Sequence, residues 1–196
     1  PIIFGSNIKF ITSTFEQYNS YGIAADLGFF YNDNENDIKV SLVLRNIGYQ
    51  IKPYNEVNEK LPFEINLGVS QKLENAPITW HITLENLQKW PIGLANPSRI
   101  ITDLDGNITE EKIGVFNELL RHVIVGVELF PESFFNMQLG YSFRRGEELR
   151  ILEQRNFSGL SFGFGMRFNK IKLNYSHSRF SSAENINYIG LQMNLN

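Results

Sequence analysis

The residues that could perform acid–base chemistry are the three histidines, His81, His122 and His177. A serine hydrolase needs a serine hydroxyl within reach of a histidine, and Ser176 and Ser178 flank His177. In an extended strand, neighbouring residues point to opposite faces, so both serines would lie on the face away from His177. The spacing argues against a serine–histidine pair, and we expect a non-catalytic protein.

A second candidate site is the run Asp103-Leu104-Asp105-Gly106-Asn107, which has the composition of a calcium-binding loop. The run lacks a following bidentate Glu at the spacing that such a loop requires. Asp-Gly is a strong signal for a hairpin turn. We therefore predict a turn here, and we expect no metal and no cofactor. The absence of cysteine excludes thiolate metal sites.

Charged residues also stand on the polar side of segments that are otherwise apolar. Two interpretations are open: a selectivity ring along a substrate pathway, or an ion-pair network that fills and stiffens the interior of a barrel. We favour the ion-pair network. This predicted lumenal charge network consists of seven residues: Arg45, Glu64, Glu85, Glu128, Arg144, Arg167 and Lys172.

The predicted pairing of strands makes this network specific. We predict that the strand that begins at Phe63 pairs with the strand that ends at Leu84, in a register that places Glu64 across from Glu85. Two opposed carboxylates repel each other, so a cation, Arg45 or Arg144, should lie near them. A tight turn at Asn169 and Lys170 places Arg167 across from Lys172. These two cations need an acid, and Glu128 is the nearest candidate by depth.

The elements that must position these residues are strands with one apolar face. In Gly159–Phe168, Leu, Phe and Met occupy every second position, and Gly, Ser and Arg occupy the others. The pattern recurs about ten times in segments of roughly 9–12 residues, the length of a tilted membrane-spanning strand. A soluble sheet would hide the apolar face in a core, whereas a transmembrane β-barrel turns it to lipid. We predict an all-β transmembrane antiparallel β-barrel, with a soluble barrel as the alternative.

The connections between segments alternate in length. Short ones lie at Asn32–Asp37, Glu74–Ala76, Pro131–Ser133 and Asn169–Lys170, and the long ones include Gln50–Leu61, Gln88–Leu119 and Gly146–Asn156. Outer-membrane barrels have short periplasmic turns and long extracellular loops. We therefore expect a bacterial outer-membrane protein with extracellular long loops and a periplasmic C-terminus.

Composition narrows the remaining classes. The 196 residues carry a net charge of −3, which gives no basic footprint for nucleic acid. Aromatic residues make up 13% of the chain, which suits lipid-facing bands and interfacial girdles. We expect one β-barrel domain over residues 1–196, forming the C-terminal portion of a longer barrel.

Five segments of the chain carry a resemblance to a known family: Val43–Gln50, Leu61–Ser70, Lys72–Pro77, Leu84–Trp90 and Leu120–Glu128. They resemble the PorQ family, outer-membrane proteins of the type IX secretion system in Bacteroidetes-type bacteria. The resemblance implies a barrel of the FadL-like superfamily, usually with fourteen strands, of which this chain would supply ten. It also implies a place in the cell-surface attachment complex, holding the surface protein PorZ beside the sortase PorU and its partner PorV.

Three functions follow: a non-catalytic surface anchor in type IX secretion, a FadL-like channel for hydrophobic solutes, and a lipid-modifying enzyme, which the serine–histidine geometry disfavours. For the anchor, the two longest loops offer side chains suited to a protein interface. These partner-binding residues are Tyr54, Val57, Trp90, Ile92, Leu94, Arg99, Ile100, Ile101 and Phe116. The competing interpretation is that these residues fold the loops over the lumen as a lid.

Overall fold

The computed structural model describes residues 2–54, 58–96, 101–102, 108–109, 112–149, 158–179 and 184–193, with the backbone alone at 101–102 and 108–109. Within these ranges the chain is all-β apart from two short helices. The predicted fold class is confirmed at this level.

Ten strands form one antiparallel sheet in which each strand is bonded to its neighbours in chain order. Their bounds are β1 Ile2–Phe15, β2 Tyr18–Asp33, β3 Ile38–Lys52, β4 Glu64–Lys72, β5 Ile78–Leu84, β8 Val123–Leu129, β9 Phe135–Ser142, β10 Leu160–Phe168, β11 Ile171–Arg179 and β12 Asn185–Met193. The remaining elements are β6 Ile101–Thr102, β7 Ile108–Thr109, α1 Val115–Arg121 and α2 Phe143–Glu148. In the described residues β1 and β12 are the edges of the sheet, which is not closed into a barrel.

Two compact units divide the chain. The first comprises Pro1–Val69 and Leu84–Trp90, and the second comprises Ser70–Thr83 and Pro91–Asn196. The first therefore contains β1 to β3 and most of β4, and the second contains β8 to β12 with both helices. Each unit is described by itself below.

In the first unit, the pairing of β1, β2 and β3 keeps the apolar residues on one face. Phe10 lies across from Ile23, and Phe29 lies between Phe4 on one side and Leu42 on the other. The rings of Phe4 and Phe29 meet edge to face with their centroids 5.0 Å apart. Directly opposed residues share a face of the sheet, so the alternation read from the sequence is confirmed here.

A β-bulge interrupts this pattern between β2 and β3. Ala25 pairs with Ile47 and Leu27 pairs with Leu44, so Arg45 and Asn46 together face the single residue between them on β2. Asn46 has a φ of 55°, a left-handed conformation that Asn tolerates better than most residues. The extra residue shifts the phase of the apolar positions, which are even-numbered up to Leu44 and odd-numbered from Ile47 onward.

In the second unit, the registers of β8 to β12 align apolar residues in columns. Leu139 lies between Val127 and Phe162, and Tyr175 lies between Phe164 and Ile189. The rings of Phe164 and Tyr175 are 5.1 Å apart at their centroids. The opposite face carries the small and polar residues, because the side chains of a strand alternate.

Burial in this chain is the reverse of that in a soluble domain. Among the described residues only two apolar side chains are buried, Ala24 and Ile92. Buried polar residues are more numerous, and they are Ser20, Thr79, Asn96, Glu118, Arg121, His122, Asn136, Ser142 and Ser158. Many large apolar side chains on the strands are exposed, from Val127 at 37% to Phe10 at 80%. The apolar face of the sheet is therefore left without a packing partner in the described chain.

From β2 onward the hairpin connections alternate in length as predicted, whereas β1 passes to β2 through Glu16 and Gln17 alone. Strand β10 passes to β11 through Asn169 and Lys170 alone, whereas residues 143–159 separate β9 from β10. Local capping stabilises the short turn after β2, where Asp33 accepts hydrogen bonds from the Asn36 side chain and from Glu35 N. These bonds, that of Asn36 first, lower the pKa of the Asp33 carboxyl at the tip of the hairpin.

The long connections contain the elements that strand alternation missed. Helix α1 begins within the predicted Gln88–Leu119 loop, and β6 of the same loop pairs with β7. The turn predicted at Asp105-Gly106 lies outside the described residues. Helix α2 begins at Phe143, so Arg144 lies on a helix and not on the strand where it was predicted. No helix in the described ranges is long and apolar enough to cross a membrane.

The predicted register at the end of β4 is wrong. Leu73 N donates to Ile78 O at 2.9 Å, and Leu87 N donates to Ile65 O at 2.9 Å. In the predicted register, Leu73 would face Ala76 and Ile65 would face Leu84. Because the observed partners differ, Glu64 does not face Glu85. Asn86, with a φ of 57°, accounts for part of the shift because it adds an irregular residue after β5.

Candidate functional site

The polar face of the first unit contains a charged cluster beside the bulge. Lys9 Nζ lies 2.7 Å from Asp26 Oδ2 and donates to Asn46 Oδ1 at 3.1 Å. Asp26 Oδ1 accepts from Asn46 N at 3.0 Å, and Asn46 Nδ2 donates to Pro62 O at 2.8 Å. The bulge therefore has its free backbone N–H satisfied by a carboxylate, and that carboxylate is in turn paired with a lysine.

The predicted cation near Glu64 is present in the same unit. Arg45 Nη1 lies 3.9 Å from Glu64 Oε2, a long contact between two partly exposed side chains. Such a pair contributes little stability, about 0–1 kcal/mol. Glu85 follows directly after β5 and is half-buried.

Glu128 has different partners from those predicted. It lies on the polar face of β8, where Asn136 Nδ2 donates to its Oε1 at 2.7 Å and His81 Nε2 lies 3.8 Å from its Oε2. These contacts hold the Glu128 side chain near β5 and β9. It therefore does not neutralise the cations of β10 and β11.

Those two cations lie where the sequence predicted them. Arg167 is directly across from Lys172, and Phe168 is across from Ile171. Among the described residues neither cation belongs to an ion pair. Of the seven predicted residues, Arg45 and Glu64 pair with each other, and Glu128 and Arg144 have partners outside the seven. The described residues supply no acid for Arg167 and Lys172.

The long loop before β8 is held by a carboxylate that the sequence did not single out. Glu118 of α1 is 3% exposed, and its Oε1 accepts hydrogen bonds from Ile92 N and from Gly93 N, the latter at 2.8 Å. A buried carboxylate with two backbone donors is a strong fixed point for a loop. The helical turn places Glu118 inward, whereas Val115, Phe116 and Leu119 are exposed.

A second group of contacts joins the same loop to α2. Arg121 Nη1 donates to Leu94 O at 3.0 Å and lies 3.6 Å from Glu148 Oε1. Arg144 Nε donates to Glu148 Oε1 at 3.1 Å. Asn96 Nδ2 donates to Glu147 O at 2.8 Å. Polar contacts thus fix the residues 92–96 against both helices, and we call this arrangement the loop cap.

The predicted partner-binding residues fall into several environments. Trp90, Leu94 and Phe116 are exposed, and Tyr54 is half-buried. Ile92 is buried at 5% exposure, because the loop turns it inward where its backbone meets Glu118, so its assignment as a surface contact is wrong. Val57, Arg99 and Ile100 lie outside the described residues, and only the backbone of Ile101 is described.

The histidines have no common site. His177 Nδ1 lies 2.8 Å from Asn187 Oδ1, and its ring is 5.0 Å from that of Phe162 on the apolar face. His81 is on the polar face beside Glu128, and His122 is buried as the C-cap of α1. In the parts of the chain that are described, no group of three or more His, Cys, Asp or Glu side chains could hold a metal ion.

Comparison with known proteins identifies no relative: no family model, curated protein or solved structure matches the chain.

Proposed function

We propose that this protein is a non-catalytic outer-membrane β-barrel of the type IX secretion attachment complex, which anchors a PorZ-like surface partner beside PorU and PorV. The observation that carries the outer-membrane part of the proposal is the exposed apolar face of the strands, and the type IX part rests on the sequence resemblance to the PorQ family. Phe10, Leu139 and Ile189 are exposed on strands that lie far apart in the sheet order, and Leu139 lies between Gln138 and Gly140, which face the other side. Lipid is the environment in which this arrangement is stable.

The polar face supports the same proposal. Its charged residues Lys9, Asp26 and Glu128 are each partnered by hydrogen bonds or ion pairs. Side chains that fill a barrel lumen need such partners, because they have limited access to water. In a soluble protein the same residues would be free to face bulk solvent on the outside of the sheet.

The loop cap supports the anchoring part of the proposal. Buried contacts of Glu118 and Arg121 hold the loop, and this leaves Leu94 and Phe116 exposed on its surface. Exposed apolar side chains on a rigid support are typical of protein interfaces. The loop cap belongs to the long-loop side of the sheet, which is extracellular in an outer-membrane barrel.

The runner-up is a FadL-like channel for hydrophobic solutes, and one observation favours it. A cleft of about 620 Å³ lies beside the second half of β3, lined by backbone and side chains that include Ile47, Tyr49, Leu61 and Phe63. Its size is within the range of small-molecule pockets, about 300–1,000 Å³. A solute bound there would enter from the side of the Gln50–Leu61 loop.

The anchoring proposal is tested with a charge on the exposed face of α1. We expect Phe116→Asp to release the surface partner from complexes purified from native membranes, because a carboxylate replaces an apolar contact at the centre of the interface. Asn117→Asp is the matched control, since Asn117 is exposed on the same helix and gains the same charge. Barrel insertion, measured as heat-modifiable migration, should be unchanged in both variants.

Two outcomes would count against the anchoring proposal. If Phe116→Asp retains the partner, and shortening Gln88–Leu119 retains it as well, the loop is a lid and the interface lies elsewhere. If the partner is retained while uptake of a long-chain fatty acid falls in a Tyr49→Asp variant, the channel is the better assignment.

A further inference from the structure

The turn of the β10–β11 hairpin borders a cleft of about 320 Å³ whose lining is rich in cations. The lining residues are Arg167, Asn169, Lys170, Ile171, Lys172 and Gln192. Three of the six are cationic and none is a carboxylate.

The backbone register brings these groups together. Arg167 is directly across from Lys172, and Lys172 is directly across from Gln192, so the three share one face of the sheet. Asn169, with a φ of 49°, closes the two-residue turn that places Lys170 at the tip. Like charges that face each other across a strand pair destabilise it.

The described part of the chain supplies no acid to offset this repulsion. Arg167, Lys170 and Lys172 take part in none of its ion pairs. Glu128, the acid expected to neutralise them, is bonded to Asn136 and lies next to His81. By contrast, Lys72, at the end of β4 beside a short connection, is paired with an acid, since its Nζ lies 2.6 Å from Glu132 Oε1.

We propose that this cleft is a binding site for a phosphate group. A phosphate monoester carries a charge of about −1.5 to −2 at neutral pH, enough to offset several cations, whereas a single carboxylate would leave an excess. The guanidinium of Arg167 matches two phosphate oxygens, and the lysines act as point charges. The side-chain amides of Asn169 and Gln192 add neutral donors for the remaining oxygens. Free phosphate and the monoester headgroup of phosphatidic acid share this chemistry.

The test uses the full chain in non-ionic detergent and titration calorimetry with inorganic phosphate. We expect the Arg167→Gln/Lys172→Gln double variant to bind phosphate at least tenfold more weakly, since it loses the charge-assisted hydrogen bonds of both side chains. Lys72→Gln is the matched control, because Lys72 is already paired with Glu132, and its affinity should equal that of the unmodified protein.

A thermal-unfolding measurement separates loss of binding from loss of folding. Phosphate should raise the Tm of the unmodified protein and of Lys72→Gln, because a ligand that binds only the folded state stabilises it. Without phosphate the double variant should unfold no lower than the unmodified protein, since it removes a repulsion. With phosphate its Tm should not rise.

A second titration, with short-chain phosphatidic acid, distinguishes the two sources of the phosphate. Binding of inorganic phosphate that the double variant loses supports a site for free phosphate. Binding of phosphatidic acid alone, again lost in the double variant, supports a lipid headgroup site. The proposal is overturned if neither ligand binds, or if the double variant binds both as the unmodified protein does.

Discussion

At the scale of single residues, Gly48 of β3 lies against the backbone of Ile23 and Ala24 of β2 and leaves no room for a side chain. A Cβ on Gly48 would overlap the carbonyl oxygen of Ile23 and would lie 2.6 Å from the Cα of Ala24. Backbone atoms cannot move aside without breaking the ladder beside the bulge. The glycine is therefore required for the pairing that places Asp26 next to Asn46.

We expect Gly48→Ala to destabilise the folded protein strongly, by about 3 kcal/mol, the upper end of the usual cost of overpacking. The matched control is Gly28→Ala, on the facing strand, where the nearest atom to a new Cβ is 3.8 Å away. Urea-induced unfolding of the refolded protein in micelles measures both. Equal stabilities of the two variants would show that the β2–β3 contact is looser than described.

The bulge also marks a limit of the sequence reasoning. The alternation from Ile38 to Leu44 predicts the apolar face of β3 correctly, and its change of phase at Ile47 was the available signal for an inserted residue. The partners of Asp26 had no such signal, because Lys9 and Asn46 come from different strands and meet only through the register. The close packing at Gly163 had no sequence signal either. A Cβ there would lie 2.8 Å from Tyr175 O, whereas the alternation indicates only the face on which Gly163 lies.

At the scale of elements, the strands followed the pattern of side chains and the helices did not. All ten predicted strands are present, because in each segment apolar side chains alternate with small or polar ones over several consecutive residues. Helix α2 begins at Phe143 with the Ser142 side chain accepting from Arg145 N, a short-range cap that overrides the apolar alternation at that end of β9. The loop cap could not be predicted, since Glu118 finds Ile92 and Gly93 through tertiary contact.

We expect Glu118→Ala to open the loop cap while the strands remain paired. The change leaves the N–H groups of Ile92 and Gly93 without their acceptor, and each buried unsatisfied donor costs about 1–3 kcal/mol. Hydrogen exchange should accelerate at residues 92–96 and stay slow in β8 to β11. Leu119→Ala, at an exposed position of the same helix, is the control and should leave exchange unchanged. Slow exchange at 92–96 in Glu118→Ala would mean that the loop is held by other contacts.

At the scale of the whole molecule, the central claim is that the apolar face of the sheet contacts lipid. The claim rests on exposure and not on similarity to a known protein, because nothing known matches the chain. Sequence alone predicted which residues would share that face. It did not predict how the charged residues of the other face would pair, since a two-residue register shift changes the partners without changing the face.

The most direct test compares the same charge on the two faces of β9. Leu139 and Gln138 are adjacent, both are exposed, and they lie on opposite faces in the middle of the sheet. Leu139→Arg should abolish or strongly reduce insertion into lipid bilayers, because an Arg facing the bilayer midplane costs about 2–4 kcal/mol. Gln138→Arg should insert as the unmodified protein does, since its charge would face the polar side across from Glu128. Insertion is measured as the heat-modifiable fraction after refolding into bilayers, and equal insertion of the two variants would contradict the lipid-facing assignment.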